Sequence, residues 1–189
     1  MPARALILID LQRGFDAPEW GARNNPDAEA RAAGLLAHWR AAGAPAIHVR
    51  HVSATPGSPL SAAAGGTAFK PRVAPLPHEP VLEKSVNAAF IGTGLEHHLR
   101  GEGIRDLVIC GLTTPHCVST TVRMAANLGF GVELVHDACA AFASNADTGW
   151  MGTTGPAPDP DAVHRAAVSH LHGEFCEART ADTVMARAP

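Results

Sequence analysis

The sequence has few charged and few aromatic residues, and it has no excess of positive charge. Charged residues make up 17% of the 189 residues, against about 25% in an average protein. Aromatic residues make up 5%, and the formal net charge is -3. The 15 lysines and arginines are spread along the chain and form no basic stripe that could neutralise a run of phosphates, so we expect no nucleic-acid partner.

Long hydrophobic runs are also missing near the start of the chain. The first apolar run, Ala5 to Ile9, is too short for the core of a signal peptide, which needs about 7 residues, or for a membrane span of about 20. We therefore expect a cytoplasmic protein with no membrane partner. The length and the 46% of hydrophobic residues predict one globular domain over residues 1–189.

The chain has few cysteines, and their spacing does not indicate disulfide bonds. The four cysteines are Cys110, Cys117, Cys139 and Cys176, and none of them forms a C-x-x-C pair. A chain without an export signal gives no reason to expect disulfides. Free thiols are the prediction.

Short apolar runs alternate along the chain with segments of helical spacing, which is typical of a parallel sheet with crossover helices. The sequence thus predicts an α/β fold. The predicted strands cover residues 5–9, 44–52, 81–84, 107–110, 132–135 and 175–178. The predicted helices run from Pro26, behind an Asn25 cap, to Gly43, then over 95–100 and 118–128, and from an Asp161 cap to Leu171.

Residues 53–80 contain six prolines and three glycines and show no periodicity. A structureless stretch of this length is uncommon inside a compact domain. It is either a meandering surface loop or a lid over a binding site, and the sequence does not separate the two.

Three reactive side chains follow predicted strands. Asp10 follows the first strand, Lys84 closes the third, and Cys117 follows the fourth where a helix begins. Ligands of open parallel sheets bind beyond the carboxyl ends of the strands, so these residues predict nucleophilic catalysis. A helix N-terminus and a nearby cation both favour the thiolate of Cys117, and Asp10 is placed to move its proton.

The chain resembles the isochorismatase-like cysteine hydrolases, a group that includes nicotinamidases and N-carbamoylsarcosine amidases. The resemblance rests on three motifs in the family's order, and covers residues 5 to about 179. They read Ile-Asp-Leu-Gln-Arg-Gly-Phe from Ile9, Lys-Ser-Val-Asn-Ala-Ala-Phe from Lys84, and Gly-Leu-Thr-Thr-Pro-His-Cys-Val from Gly111.

The resemblance implies a three-layer αβα, Rossmann-like fold with a six-stranded parallel sheet. It also implies that Asp10 is the base and Cys117 the nucleophile of an Asp, Lys, Cys set completed by Lys84. A non-proline cis peptide is expected between Leu112 and Thr113, with an oxyanion hole formed by the amides of Thr113 and Cys117. Such a site predicts hydrolysis of a C–N bond in a small amide, carbamoyl or ureido substrate, through a thioester.

Five further residues are candidates for contact with the small-molecule substrate. Phe15 and Phe90 belong to the family motifs, while Trp20, Leu112 and His116 are near the site in sequence only. Arg50 and Arg123 are considered as partners of a substrate carboxylate, although a structural ion pair is the more common role of an arginine inside a helix.

No metal or other cofactor is expected. Nicotinamidases carry an Asp-x-His metal motif after the second strand, and His51 and Ser53 stand at those positions here. His48 and His51 are three residues apart on a strand, so they point to opposite faces.

Three other functions remain open. The same fold supports vinyl-ether hydrolysis of the isochorismate type, which needs no cysteine. The chain could also be a catalytically idle interaction subunit, or a thiol-based redox sensor in which Cys139 or Cys176 approaches Cys117 in space. By resemblance we expect a homo-oligomer, a dimer or tetramer, with Trp20 and Trp150 among the candidate contact residues.

Overall fold

Six parallel strands form one sheet in the order β3-β2-β1-β4-β5-β6. The computed structural model describes residues 4–152 and 158–189. The strands are β1 Ala5–Ile9, β2 Ala46–His51, β3 Val81–Lys84, β4 Asp106–Leu112, β5 Gly131–Ala140 and β6 Glu177–Arg179. The α-helices are α1 Ala28–Ala41, α2 Leu95–Gly101, α3 Ser119–Asn127, α4 Pro160–Ser169 and α5 Ala181–Met185.

The strand β1 lies in the middle of the sheet because every one of its residues is apolar. All five residues of β1 are buried, and they pair with β2 on one side and β4 on the other. Strand order reverses between β1 and β4, and the crevice at such a reversal is where open α/β sheets bind ligands. Asp10 is the first residue beyond β1 at this crevice.

Helices cover both faces of the sheet. The chain moves one way from β1 to β3 and the other way from β4 to β6, so right-handed crossovers place α1 on one face and α3 and α4 on the other. The short α5 packs against α1. The predicted α/β class and three-layer αβα arrangement are confirmed. Within the described ranges, each helix is too short or too polar to cross a lipid bilayer.

The apolar stripe of α1 is buried as predicted, but its cap is not Asn25. Ala32, Leu35, Leu36 and Trp39 face the core. Asn25 instead adopts a φ of 41°, and its Nδ2 donates to two carbonyl oxygens of β5, at 3.2 Å and 2.8 Å. The prediction of an Asn25 cap was wrong because Asn25 has a positive φ and its side chain hydrogen-bonds to a strand that is distant in the sequence.

Several other boundaries differ from the sequence prediction, among them β6, which is Glu177–Arg179 rather than 175–178. The cap of α4 is Asp159, whose side chain accepts from the amide of Asp161, so Asp161 lies in the first turn. The strand β5 is longer than the predicted 132–135 and runs past Asp137 to Ala140, because its pairing with β4 shifts between Ile109 and Gly111 and then resumes. The helix α5 was not predicted.

Residues 53–80 form no strand or α-helix and contain one short 3-10 helix, Pro71–Val73. Backbone hydrogen bonds attach this segment to the residues that follow β1. Gly14 N donates to Gly66 O at 2.9 Å, and Lys70 N donates to Leu11 O at 2.9 Å. The backbones are so close at Gly66 that a Cβ there would lie 2.8 Å from Gly14 Cα. The segment is therefore fixed beside the carboxyl end of β1.

Candidate active site

The carboxylate, the ammonium and the thiol meet at the crevice. Lys84 Nζ donates to Asp10 Oδ2 at 2.6 Å and to Cys117 Sγ at 3.2 Å. The side chains of Asp10 and Lys84 are fully buried, and Cys117 is 8% exposed. The structure thus brings together the three reactive residues that the sequence singled out, from the ends of three different elements.

Local structure explains how each group reaches the crevice. Asp10 leaves β1 with a φ of 52°, and its amide donates to Val49 O at 2.9 Å. Lys84 is the last residue of β3. Cys117 lies in a single π-helical turn, Thr114–Val118, that leads into α3. The peptide bond between Leu112 and Thr113, just before this turn, is cis.

The surroundings of Cys117 favour the neutral thiol, whereas the sequence predicts a thiolate. Burial and the charge of Asp10 raise the pKa of Cys117, Lys84 opposes both effects, and the net pKa is about 12. Because Cys117 is the fourth residue of its turn, it does not sit at the first exposed amides of a helix. Burial also raises the pKa of Asp10 above its usual value, although the Lys84 ammonium acts in the opposite direction.

His51 completes this polar group and raises the question of a metal site. Asp10, His51 and Cys117 offer ligand atoms within 4.8 Å of one another. The Lys84 ammonium already contacts all three, since its Nζ lies 3.2 Å from His51 Nδ1. A cation therefore already occupies the centre of this donor set, and the set does not fit a metal ion. His48 points away from it and contacts Glu79 at 2.9 Å.

A cavity of about 160 Å³ opens beside the thiol. Of the predicted substrate contacts and oxyanion residues, five line this cavity: Phe15, Trp20, Thr113, His116 and Cys117. Phe15 and Trp20 form one wall with their rings 5.0 Å apart, and Trp20 Nε1 donates to Gly14 O at 2.8 Å.

Phe90 and Leu112 do not line the cavity, so the structure contradicts their assignment as substrate contacts. Phe90 stacks on Phe130 with ring centroids 5.8 Å apart. Leu112 is the last residue of β4 and is fully buried in the core. Membership of a motif, or proximity to one, did not determine whether each side chain lines the cavity or packs elsewhere.

Comparison with known proteins agrees with the fold. A profile of the isochorismatase domain matches residues 4–182. The chain belongs to the isochorismatase family. It is 41% identical to the isochorismatase family protein YrdC of Bacillus subtilis over 182 residues, which cover 96% of this chain and 94% of YrdC.

Two other relatives extend this assignment of the isochorismatase family. A crystal structure of an isochorismatase-family hydrolase from Chromobacterium violaceum superposes with a TM-score of 0.90, at 45% identity, over 98% of this chain and 93% of that one. Streptothricin hydrolase of Streptomyces noursei is 36% identical over 142 residues, which cover 74% of this chain and 50% of that protein. The expected membership of this hydrolase family is confirmed.

In this member of the isochorismatase family, sequence reasoning missed several cavity residues. They are Ser53, Ser58, Leu60, Asn87 and Asn145, while His51 was weighed only as a metal ligand. Asn87 lies in the motif that begins at Lys84. Its position three residues after Lys84 is the sequence feature that could have identified it as a cavity residue. The other four come from loops, whose course no periodicity reveals.

The two arginines considered for a substrate carboxylate are engaged outside the cavity. Arg50 Nε donates to Glu83 at 2.9 Å. Arg123 stacks on Phe175, with its guanidinium carbon 4.5 Å from the ring centre, and Nη2 donates to His170 O at 3.4 Å. Both are structural in this family member.

Proposed function

We propose that the protein is a cysteine hydrolase that cleaves the C–N bond of a small amide, carbamoyl or ureido substrate through a thioester. One observation carries this proposal: a single buried ammonium contacts both the Asp10 carboxylate and the Cys117 thiol beside a small cavity. A nucleophile, a proton carrier and a neutralising cation are the groups that acyl transfer requires. The similarity to streptothricin hydrolase supports the same class of reaction.

Acylation begins from the neutral thiol. Asp10 Oδ1 is buried and has no hydrogen-bond partner among the described residues, so it is available to accept the thiol proton. As the proton moves to Asp10, Sγ bonds to the substrate carbonyl carbon, and the carbonyl oxygen becomes an oxyanion. Asp10 then returns the proton to the substrate nitrogen, the C–N bond breaks, and ammonia or an amine leaves a thioester on Cys117.

Deacylation repeats these steps with water. Asp10 takes a proton from a water molecule while the oxygen of that water bonds to the thioester carbon. The tetrahedral intermediate collapses with loss of the Cys117 sulfur, which recovers its proton from Asp10. The product is a carboxylic or carbamic acid, and the enzyme returns to its starting protonation state.

The amides of Thr113 and Cys117 are proposed as donors to the oxyanion. Both residues line the cavity beside the thiol. Loss of one donor of this kind slows turnover roughly 100- to 1000-fold. Phe15, Trp20 and His116 are proposed to contact the substrate through the cavity wall.

Ammonia release from a panel of small amides, carbamoyl amino acids and ureido acids tests this function, with Cys117→Ala as the matched control. We expect at least one compound to be hydrolysed by the wild-type protein and not by the variant. Turnover that survives the loss of Cys117 would contradict the thioester mechanism and would favour the vinyl-ether reaction. A second variant, Cys117→Ser, keeps the size and polarity of the side chain and controls for misfolding.

The setting of this activity is also a proposal. We place the enzyme in the cytoplasm as a homo-oligomer, on the resemblance of its motifs to those of a family that is usually oligomeric. Trp20 is packed against Phe15 and Phe142, so it is not a free contact residue. Trp150 is 83% exposed and remains a candidate contact between subunits.

A further inference from the structure

The lining of the active-site cavity carries no formally charged side chain. Eleven residues line it, all within the described part of the chain, and none is Asp, Glu, Lys or Arg. Its polar groups are hydroxyls, carboxamides, the thiol and two imidazoles. Most ligand sites that accept an anion or a cation contain at least one side chain of the opposite charge.

Charged groups near the cavity are cancelled by partners. Asp10 and Lys84 lie behind Cys117 and form an ion pair 2.6 Å long, with both side chains fully buried. Arg23 lies over Phe142, which stacks on the cavity residue Phe15, and is paired with Glu29 at 2.8 Å. Both charges of each pair have a partner, so neither pair presents an unpaired charge to an incoming substrate.

The two imidazoles of the lining stay neutral near pH 7. Burial and the positive charge of Lys84 together lower the pKa of His51 to about 4. Desolvation also lowers the pKa of His116. At neutral pH neither ring offers the positive charge that a substrate carboxylate would need.

We propose that the site selects an uncharged substrate, a small neutral carboxamide or ureide, and discriminates against analogues that carry a carboxylate or an ammonium. A charge brought into the cavity would lose water without gaining a partner, which costs several kcal/mol in protein interiors. The cavity volume of about 160 Å³ is below the range of about 300 to 1,000 Å³ that is usual for drug-sized ligands. The reaction named here rests on the proposed function, whereas the charge selectivity is a property of the cavity.

Asn87 offers the substrate an uncharged hydrogen-bonding group instead of a charge. Cys117 Sγ lies 3.6 Å from Asn87 Oδ1, and the Asn87 side chain is exposed where it lines the cavity. A substrate nitrogen bound next to the thiol is within reach of this carboxamide oxygen. Asn87 therefore marks the position at which an added charge acts most directly on the substrate.

Alkylation of Cys117 by iodoacetamide and by iodoacetate tests the selectivity without requiring turnover. The two reagents have nearly the same size and differ by one negative charge. We expect the ratio of their rates, amide over acid, to exceed the ratio measured with free cysteine at the same pH by about tenfold or more, the factor that 1.4 kcal/mol represents. A ratio equal to or below that of free cysteine would overturn the proposal.

Two variants make the alkylation test specific. Cys117→Ala should abolish labelling by both reagents, because Cys110 and Cys139 are fully buried and Cys176, 7% exposed, does not line the cavity. Asn87→Lys places a cation at the cavity and should reverse the preference toward iodoacetate. If Asn87→Lys leaves the ratio unchanged, charge does not control entry, and the proposal fails.

Hydrolysis of malonamide and malonamate, again matched in size, separates this inference from the proposed function. Faster hydrolysis of malonamide supports both. Equal hydrolysis of the two compounds overturns the charge selectivity and leaves the hydrolase function intact. Hydrolysis of no amide in any panel, together with the iodoacetamide preference, would remove the proposed function and uphold the selectivity.

Discussion

At the scale of single residues, the site depends on a buried ion pair whose members have no exposed surface. Lys84 neutralises Asp10 at 2.6 Å, and the second carboxylate oxygen of Asp10 has no partner among the described residues. A buried ion pair is often no more stabilising than apolar residues of similar volume, so stability alone does not explain this pair, and a catalytic role does.

Replacing Lys84 by Met should therefore damage both folding and activity. The variant leaves the Asp10 carboxyl buried without its cation, and the free energy of unfolding should fall by about 3 to 5 kcal/mol. Urea unfolding measures this loss. The double variant Lys84→Met with Asp10→Asn removes both charges and should recover part of the stability but no activity. A double variant that is less stable than Lys84→Met alone would contradict this account.

At the scale of elements, the π-helical turn that carries Cys117 is held by α4. His164 of α4 is 5% exposed, and its Nδ1 lies 2.9 Å from Thr114 Oγ1 in the π-helical turn. Burial and the nearby His136 together lower the pKa of His164 to about 4, which favours a neutral ring near pH 7. This hydrogen bond links the position of Cys117 to a helix more than 40 residues along the chain.

His164→Ala should displace the turn and lower kcat about tenfold or more, with a smaller effect on KM, since small misplacements of a reacting group are costly. Steady-state kinetics on any substrate found in the ammonia assay measure the two constants. His164→Asn can place a polar atom near Nδ1 and should restore much of kcat. Equal loss of kcat in both variants would show that the imidazole acts through packing alone.

At the scale of the whole molecule, buried titratable groups make the fold sensitive to acid. Glu79 joins α1 to β2, accepting from Arg40 at 2.7 Å and contacting His48 at 2.9 Å. Burial raises the pKa of Glu79, but the hydrogen bonds from Arg40, the Leu76 amide and His48 outweigh it and hold the pKa at about 2. This stabilisation is complete above the unfolded pKa of 4.5 and disappears as the pH falls through about 2.

His51 and His164 add a second acid-sensitive range. Both have folded pKa values of about 4 against 6.5 when unfolded, so the unfolded chain binds more protons between these values. The free energy of unfolding should thus decline from about pH 6.5 downward. Glu79→Gln should lower it by about 1 to 3 kcal/mol at pH 7 and flatten its decline below pH 4.5. Denaturant unfolding at a series of pH values measures both effects, and parallel curves for wild type and variant would contradict them.

Self-association is the other prediction for the whole molecule. We expect sedimentation equilibrium at micromolar concentration to report a dimer or a tetramer. Trp150→Glu tests the exposed tryptophan as a contact, and it should shift the equilibrium toward monomer if that residue is buried between subunits. A monomeric wild-type protein would contradict the expected dimer or tetramer.

Much of the fold was predictable because local patterns report burial. The uninterrupted apolar run of β1 and the stripe of α1 identified buried elements, and alternation of strands with helices predicted the parallel sheet. Boundaries were less predictable where distant partners intervened. Asn25 was recruited by carbonyl oxygens of β5, and the extension of β5 beyond Asp137 depends on its shifted pairing with β4.

The sequence by itself determined the fold class and the reactive set Asp10, Lys84 and Cys117, because strand ends in a parallel sheet share one edge. Only the tertiary structure decided the walls of the cavity and the protonation of its groups. Ser58, Asn87 and Asn145 come from three separate loops, and their meeting depends on contacts between residues far apart in the chain. The raised pKa of the Cys117 thiol follows chiefly from its burial, and burial at a single position is a property of the folded molecule rather than of its local sequence.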